Sequence, residues 1–268
     1  MATAPVSKKQ IIVSRATGSH FYKYSAFIGE RREWLKDLVL NHRFYAPTLT
    51  QLADPSDGRP KLAAQTDDKL FTFLYNSRSG VLGRNPGISV EEQIRHGLIL
   101  DVNIRKYGVE QLMPLLEKTM RKEFEDFRVY SMTKRFNNLS LWENYAANHN
   151  GYCLEFANDS VFRLANDVTY NDAPEFDISD DDQRSGWFLF YKRIDYRSEE
   201  EVRIYVPRMF SDGLVPFDPQ HLTRLIIGRH MPEADRALIR EWAKQRTTEL
   251  KVVTALWDSD MQDIRIQD

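Results

Sequence analysis

The chain has 268 residues, and its 37 Lys and Arg against 39 Asp and Glu give a formal net charge of -2 at pH 7. With 42% hydrophobic and 28% charged residues it has the composition of a folded globular protein, which excludes disorder as the main state. The near-neutral charge argues against binding to a phosphate backbone through overall charge, and leaves only a local basic groove open for that role.

Cysteine content and hydropathy predict a cytoplasmic protein. Cys153 is the one cysteine, so no intramolecular disulfide can form, and a reducing compartment is expected. The longest apolar stretch, Trp187 to Tyr191, is far shorter than the ~20 residues that span a bilayer, so no membrane partner is expected. Residues 1–15 carry no export signal and are predicted to be a flexible N-terminus.

Short runs rich in aromatic and β-branched residues predict a set of strands along the chain. These runs are Phe21 to Tyr24, Arg43 to Ala46, Phe127 to Thr133, Tyr152 to Ala157, Val202 to Val206, Leu225 to Ile227 and Val252 to Trp257. Asp54 to Pro60 and the acidic run Asp177 to Asp182 are predicted to be solvated loops. No linker or repeat divides the chain, so we predict a single α+β domain over residues 16–268.

Helical periodicity predicts an inserted pair of helices at about residues 88–126, and one further helix near the C-terminus. The first begins at Ser89, with Glu92 completing a capping box, and ends at Gly108. Its predicted inner side carries Ile94, Leu98, Val102 and Arg105, and the second helix, from about Val109, carries Leu112, Leu116, Met120 and Phe124. The C-terminal helix begins near Pro232 and is predicted to bury Leu238, Ile239 and Trp242.

The segment Tyr196 to Val206 has the most informative pattern of charges. Side chains alternate along a strand, so Glu199, Glu201 and Arg203 would share one face, while the apolar residues between them face the core. Two neighbouring carboxylates are costly unless solvent, a ligand or the arginine compensates them. The alternative is an edge strand with a solvated charged face.

Two further segments carry candidate binding residues. From Asn137 to Gly151 a short helix would present Trp142 and Tyr145, whose rings suit a flat heteroaromatic ligand, and Gly151 would end it. The alternative is a capped helix whose aromatic residues fill the core. Earlier in the chain Lys23 stands between Tyr22 and Tyr24; an exposed lysine covered by its aromatic neighbours is the commoner arrangement for that pattern.

Taken in order, these motifs resemble a family. Y-K-Y, L-W-x-x-Y-A-x-N-H-x-G and E-x-E-V-R-I, between about Phe21 and Arg229, resemble an uncharacterised bacterial family associated with abortive phage infection. More distantly, the pattern is similar to the ADP-ribosyltransferase superfamily, which includes enzymes that modify DNA bases. Lys23 stands where those transferases carry His or Arg.

The resemblance implies an ADP-ribosyltransferase-like fold, with a mixed, mostly antiparallel sheet as its core. It assigns catalysis to Glu201 and Glu199, and binding of NAD to Tyr22, Lys23, Tyr24, Ser131, Trp142 and Tyr145. We therefore expect Glu201 to face a concave site together with Lys23 and at least one of Tyr22, Tyr24 or Tyr145.

The function implied by the resemblance is NAD-dependent mono-ADP-ribosylation of a macromolecule, DNA, RNA or protein, by a toxin or phage-defence effector. An antitoxin or regulatory partner is compatible with such an effector. One alternative is a metal-dependent nuclease that uses Glu199 and Glu201, for which the sequence offers no third carboxylate; the other is a non-catalytic binding or sensor domain. No histidine pair has zinc-site spacing, so no metal is expected.

Overall fold

The computed structural model describes residues 14–52, 54, 57–58, 61–62, 68, 89, 91–92, 95, 98–99, 101–108, 111, 114, 118, 125–171, 175–176 and 187–267. Several expectations lie outside these residues. They are the flexible N-terminus over residues 1–13, the acidic run Asp177 to Asp182, and the inward positions Ile94, Leu112, Leu116, Met120 and Phe124.

The described helices are α1 (Glu30–Asn41), α2 (Leu139–Asn144) and α3 (Glu233–Lys244). The described strands are β1 (His20–Ser25), β2 (Arg43–Tyr45), β3 (Lys61–Leu62), β4 (Arg128–Thr133), β5 (Tyr152–Ala157), β6 (Asn166–Asp167), β7 (Thr169–Asn171), β8 (Glu175–Phe176), β9 (Tyr191–Arg193), β10 (Glu201–Val206), β11 (Leu214–Pro216), β12 (Leu222–Ile227), β13 (Lys251–Asp258) and β14 (Asp263–Gln267). Every described residue within 91–118 is helical. Among the described helices, none has both the length and the hydropathy needed to cross a bilayer.

In the described part of the chain, eight strands form one sheet in the order β14-β13-β12-β5-β1-β4-β10-β6. Its pairs are antiparallel except for β12 and β13, which run parallel to each other and are connected by the segment that contains α3. This is the predicted α+β class with a mixed, mostly antiparallel sheet. Each predicted strand is present, with bounds that differ by at most three residues, because alternation and β-branched content are local signals.

One face of the sheet forms the larger core, beneath α1 and α3. Leu35 and Val39 of α1 and Ile239 of α3 are buried against strand residues there. Trp242 is buried as predicted, one turn after Ile239, but Leu238 is 38% exposed. A residue next to Ile239 is rotated about 100° around the helix, so both cannot face the same core.

The prediction of which side of the first inserted helix faces inward is also wrong at the residues that the structure describes. Leu98 and Val102 are exposed, while Ile104 is buried. The capping box is present in part, since the Glu92 backbone N–H donates to Ser89 Oγ at 3.2 Å. Gly108 takes a left-handed φ of 70°.

The opposite face of the sheet is covered by α2. Leu141 and Trp142 of α2 form a second core with Cys153 of β5 and Ile264 of β14. Cys153 is fully buried, and this burial raises the pKa of its thiol. A protonated thiol without solvent contact is an inert packing group.

The chain leaves α2 earlier than predicted. The helix ends at Asn144, and Ala147, Asn148 and His149 follow with φ angles of 49°, 51° and 64°. The role of Gly151 is close packing: a Cβ placed there would lie 2.2 Å from the carbonyl oxygen of Ser25. Only a residue without a side chain allows this turn to sit against the end of β1.

We expect Gly151→Ala to lower the free energy of unfolding by more than ~2 kcal/mol, because the added methyl group meets backbone that cannot move without breaking β1. Gly108→Ala is the control: nothing in the described part of the chain lies within 4 Å of a Cβ added there, so only the left-handed φ of 70° is penalised, by ~1 kcal/mol. Urea denaturation measures both. Equal losses for the two variants would contradict the close approach at Gly151.

Candidate active site

A pocket of about 240 Å³ opens between β1 and β4. These strands share one paired position, Tyr22 with Thr133, whereas β1 and β5 pair along six residues. Both strands line the pocket beyond that shared position. The pocket therefore occupies the part of the sheet where neighbouring strands are not held together by a continuous ladder of hydrogen bonds.

The pocket brings together seven of the eight residues that the sequence selected. Glu199, Glu201, Tyr22, Lys23, Tyr24, Ser131 and Tyr145 all line it. Lys192 and Tyr196 line it as well, and the sequence analysis did not assign either to the site. The expected juxtaposition of Glu201 with Lys23 and a tyrosine is therefore present, with all three predicted tyrosines.

Trp142 is the predicted binding residue that does not line the pocket. Its side chain is fully buried between Tyr24 and His149, and its ring nitrogen donates to the carbonyl oxygen of Phe136 at 2.8 Å. Trp142 therefore agrees with the alternative interpretation, in which the aromatic side chain of the helix fills the core. The ring lies behind Tyr24, at 5.2 Å between centroids, and supports that tyrosine.

Glu201 begins β10 and is held by two cations. Its Oε1 accepts from Arg203 Nε at 2.6 Å, and its Oε2 accepts from Lys192 Nζ at 2.9 Å and from Arg203 Nη2 at 3.0 Å. Burial by itself would raise the pKa of this carboxyl, but the charges of Arg203 and Lys192 outweigh burial and lower the pKa. Glu201 is therefore an anion fixed in orientation, although it is only 6% exposed.

Glu199 reaches the pocket by a different route from the one predicted. It does not belong to β10: it ends a 3-10 helix, Ile194–Glu199, and Glu200 then turns the chain with a left-handed φ of 45°. Tyr145 donates its hydroxyl to Glu199 Oε1 at 2.9 Å, and Lys192 donates to Oε2 at 2.5 Å. Strand alternation thus correctly predicted that Glu199 lies beside Glu201, but Glu199 is not part of the strand on which that prediction was based.

Arg203 carries the charge network into the interior. Its side chain is completely buried, and it donates to Asp57 Oδ2 and to the carbonyl oxygen of Leu189, each at 2.7 Å. Asp57 lies in the segment that was predicted to be a solvated loop, but it is only 7% exposed. That prediction is wrong at Asp57 because the segment's charge is met by a guanidinium that lies 146 residues further along the chain. Burial raises the pKa of Asp57, against the opposing charge of Arg203.

Lys192 is the main functional candidate that sequence reasoning missed. It lies in β9, which pairs in parallel with β7 and places Lys192 beside Tyr170. Tyr170 accepts a hydrogen bond from the backbone N–H of Glu201 at 2.7 Å, so both members of this pair contact Glu201. The available signal was a lysine directly after the apolar run Trp187 to Tyr191, where a buried apolar segment continues into a charged residue.

Lys23 differs from the other cations of the pocket. It makes no hydrogen bond or ion pair with a described residue, and its Nζ lies 5.2 Å from the centroid of the Tyr130 ring. Burial lowers the pKa of Lys23 to about 8, even though Glu201 acts in the opposite direction. Among the described residues, no anion is attached to this ammonium, in contrast to that of Lys192.

A cation already lies where the nuclease alternative would need a metal. Lys192 Nζ bridges Glu199 and Glu201, and this ammonium offsets one of the pair's two negative charges without any added ion. Within the described residues, no three side chains of His, Cys, Asp or Glu converge as ligands for a metal. The geometry gives the metal-dependent alternative no specific support.

For a ligand, the pocket provides an ionised carboxylate, the hydroxyl of Ser131 and the rings of several tyrosines. This set suits a flat ring joined to a group that becomes positively charged. Comparisons of the chain with protein-family models, with curated proteins and with solved structures give no match. The chemistry of the pocket is therefore the ground on which a function can be proposed.

The buried ion cluster makes stability depend on pH with a defined sign. Because the pKa of Glu201 is lower in the folded state, the unfolded chain takes up protons first as the pH falls below the ordinary glutamate value of ~4.3. The stability that this group contributes is present above that value and is lost as the pH falls through the folded pKa. Glu201→Gln should remove this acid-dependent component.

At neutral pH the same Glu201→Gln variant should be ~3–5 kcal/mol less stable, because Arg203 and Lys192 lose a buried counter-charge. Glu200→Gln is the matched control: Glu200 is a partly exposed neighbour paired with Arg135, so we expect a change of ~0–1 kcal/mol. Urea unfolding of both variants across a pH series measures these effects. Equal stability of wild type and Glu201→Gln at neutral pH would show that the cluster contributes nothing.

Proposed function

We propose that the protein is an NAD-dependent mono-ADP-ribosyltransferase that modifies a macromolecule. The observation that carries the proposal is the convergence, in one pocket, of Glu201, whose pKa is lowered by Arg203 and Lys192, with Ser131 and the rings of Tyr22, Tyr24 and Tyr145. These are the residue types that the motif resemblance assigns to binding NAD and breaking its glycosidic bond.

The chemistry explains why an ionised carboxylate matters. When the bond between nicotinamide and ribose breaks, positive charge develops on the sugar, as it does in glycoside hydrolysis. An anion held in place before the reaction stabilises that charge without having to reorganise. Glu201 meets this requirement because Arg203 and Lys192 fix both of its oxygens. The acceptor then attacks the same carbon from the opening of the pocket.

Pocket size supports a partial enclosure of NAD. A volume of about 240 Å³ lies below the roughly 300–1,000 Å³ of sites that enclose whole drug-sized ligands. The nicotinamide ring and its ribose would occupy the pocket between the tyrosines, while the diphosphate and adenosine extend outside it. Lys23, whose ammonium is attached to no anion among the described residues, would contact the diphosphate or the ribose.

The setting we propose is a cytoplasmic toxin or phage-defence effector. A single buried cysteine with a raised pKa suits a reducing compartment. The acceptor would be DNA, RNA or protein, and an antitoxin or regulatory partner would restrain the activity. These elements rest on the motif resemblance rather than on the geometry of the pocket.

Release of nicotinamide from NAD, with and without DNA, RNA and protein acceptors, tests the proposal. We expect Glu201→Gln to lower turnover by roughly a hundredfold or more, the usual effect of losing one preorganised electrostatic group. Glu200→Gln should match wild type, because that side chain pairs with Arg135 outside the pocket. Circular dichroism of each variant must show a folded protein at the assay temperature.

Tyr145→Phe serves as a milder second variant, since it keeps the ring and removes only the hydroxyl that donates to Glu199. It should slow nicotinamide release without unfolding the protein. Should the wild type release no nicotinamide with any acceptor, or should folded Glu201→Gln equal it, the transferase proposal fails.

The affinity for NAD should also depend on the charge of Lys23. Its pKa of about 8 means that the amine is protonated below that pH and neutral above it, so affinity for an anionic ligand should fall as the pH rises through about 8. Lys23→Ala should bind NAD more weakly at neutral pH and lose this step. Calorimetric titration on either side of that value measures both effects, and a pH step that persists in Lys23→Ala would assign it to another group.

A further inference from the structure

Lys192 joins three separate elements of the pocket. It lies in β9, outside the large sheet, while Glu201 lies in β10 and Glu199 ends the 3-10 helix between them. Its Nζ is 2.5 Å from Glu199 Oε2 and 2.9 Å from Glu201 Oε2. The side chain is 6% exposed, so water contributes little to these contacts.

The two carboxylates can lie close together because this ammonium stands between them. Without a cation between them, two buried anions would repel each other, and one of them would be protonated or turn away. A lysine ammonium suits the position because it is a compact charge with three donors. Two of the donors are used by Glu199 and Glu201, and the ammonium lies 4.7 Å from the centroid of the Tyr196 ring, which covers another side.

The surroundings of Lys192 fix its position as well. Tyr170, its partner in the β7–β9 register, accepts a hydrogen bond from the Glu201 backbone, so the strand that carries Lys192 is tied to the strand that carries Glu201. Thr133 of β4 donates to the carbonyl oxygen of Glu199 at 2.6 Å, which fixes the end of the 3-10 helix. The backbone segments that carry Lys192 and the two carboxylates are therefore held in place by hydrogen bonds.

We propose that Lys192 is the positioning residue of this pocket: its ammonium holds Glu199 and Glu201 side by side and keeps Glu201 oriented as an anion toward the ligand. The role is electrostatic. The two carboxylates outweigh burial and raise the pKa of Lys192, so this side chain keeps its proton and does not act as an acid or a base. Only the activity measurement below rests on the transferase proposal.

The first measurement does not require any activity. In protein carrying ¹³C-labelled glutamate, the Glu201 carboxyl signal is assigned by its loss in Glu201→Gln, and its titration is followed by NMR. We expect its midpoint to rise in Lys192→Met relative to wild type, because one of the two opposing charges is removed while Arg203 remains. Lys134→Met is the matched control, since it removes a lysine that pairs at 2.6 Å with a different carboxylate, Asp167. It should leave the Glu201 titration unchanged.

The second measurement is the pH profile of nicotinamide release. Lys192→Met should lower kcat about tenfold or more with little change in KM, and the acid limb of its profile should move to higher pH, because Glu201, the group that acts in the transition state, is then less well oriented and more easily protonated. Lys192→Arg keeps the charge and should restore part of the activity. If Lys192→Met does not fold, Lys192→Gln takes its place in both measurements.

The two measurements fail in distinguishable ways. A folded Lys192→Met or Lys192→Gln protein with the wild-type Glu201 titration overturns the role of Lys192, whatever the activity. A raised Glu201 midpoint supports that role even if the wild type releases no nicotinamide, a result that overturns the transferase proposal alone. Wild-type kcat and an unmoved acid limb in Lys192→Met, alongside an active wild type, also overturn the role.

Discussion

The pairing of Arg203 with Glu201 is the interaction on which the pocket depends. A guanidinium with no solvent contact is very costly unless its nitrogens have partners, and here Glu201, Asp57 and the carbonyl oxygen of Leu189 supply a partner for each nitrogen. Because these partners come from separate segments, the pair fixes β10, the segment around Asp57 and the 3-10 helix Trp187–Phe190, which contains Leu189, relative to one another. Removing one member would leave a buried charge and release all three.

The same sheet serves two purposes through its two faces. One face is apolar and packs under α1 and α3, which makes it a rigid support. The other carries the Asp57, Lys192, Glu199, Glu201 and Arg203 charges where β1 and β4 are joined by a single paired position. Among the described residues that line the pocket, together with Arg203, four carboxylates (Asp54, Asp57, Glu199 and Glu201) stand against three cations (Lys23, Lys192 and Arg203), which leaves one net negative charge if all ionise. A pocket with that balance favours a ligand that gains positive charge during its reaction, which is the electrostatic basis of the proposed function.

Much of the architecture could be predicted because its causes are local. The alternation in Val202, Ile204 and Val206 marks a strand with one buried face, and burial of Cys153 follows from its place in an apolar strand. The same alternation placed Glu201 on the polar face. Hydrophobic periodicity predicted the wrong burial for Leu238. Periodicity gives the width of the apolar stripe on a helix, but it does not show which residues at the edge of the stripe contact the core.

The sequence by itself determined the strands, the side to which Glu201 points and the set of tyrosines that could surround it, because these follow from neighbours one or two positions away. Only the tertiary structure decided the ion partners: Asp57 and Arg203 are separated by 146 residues, and Lys192 reaches Glu201 from a different strand pair. It also decided that Trp142 is buried behind Tyr24 rather than exposed in the pocket. The free energy of a buried charge depends on which opposite charge the folded chain brings within hydrogen-bonding distance. The packing of segments that are distant in the sequence decides this, so the local sequence around either charge does not reveal its partner.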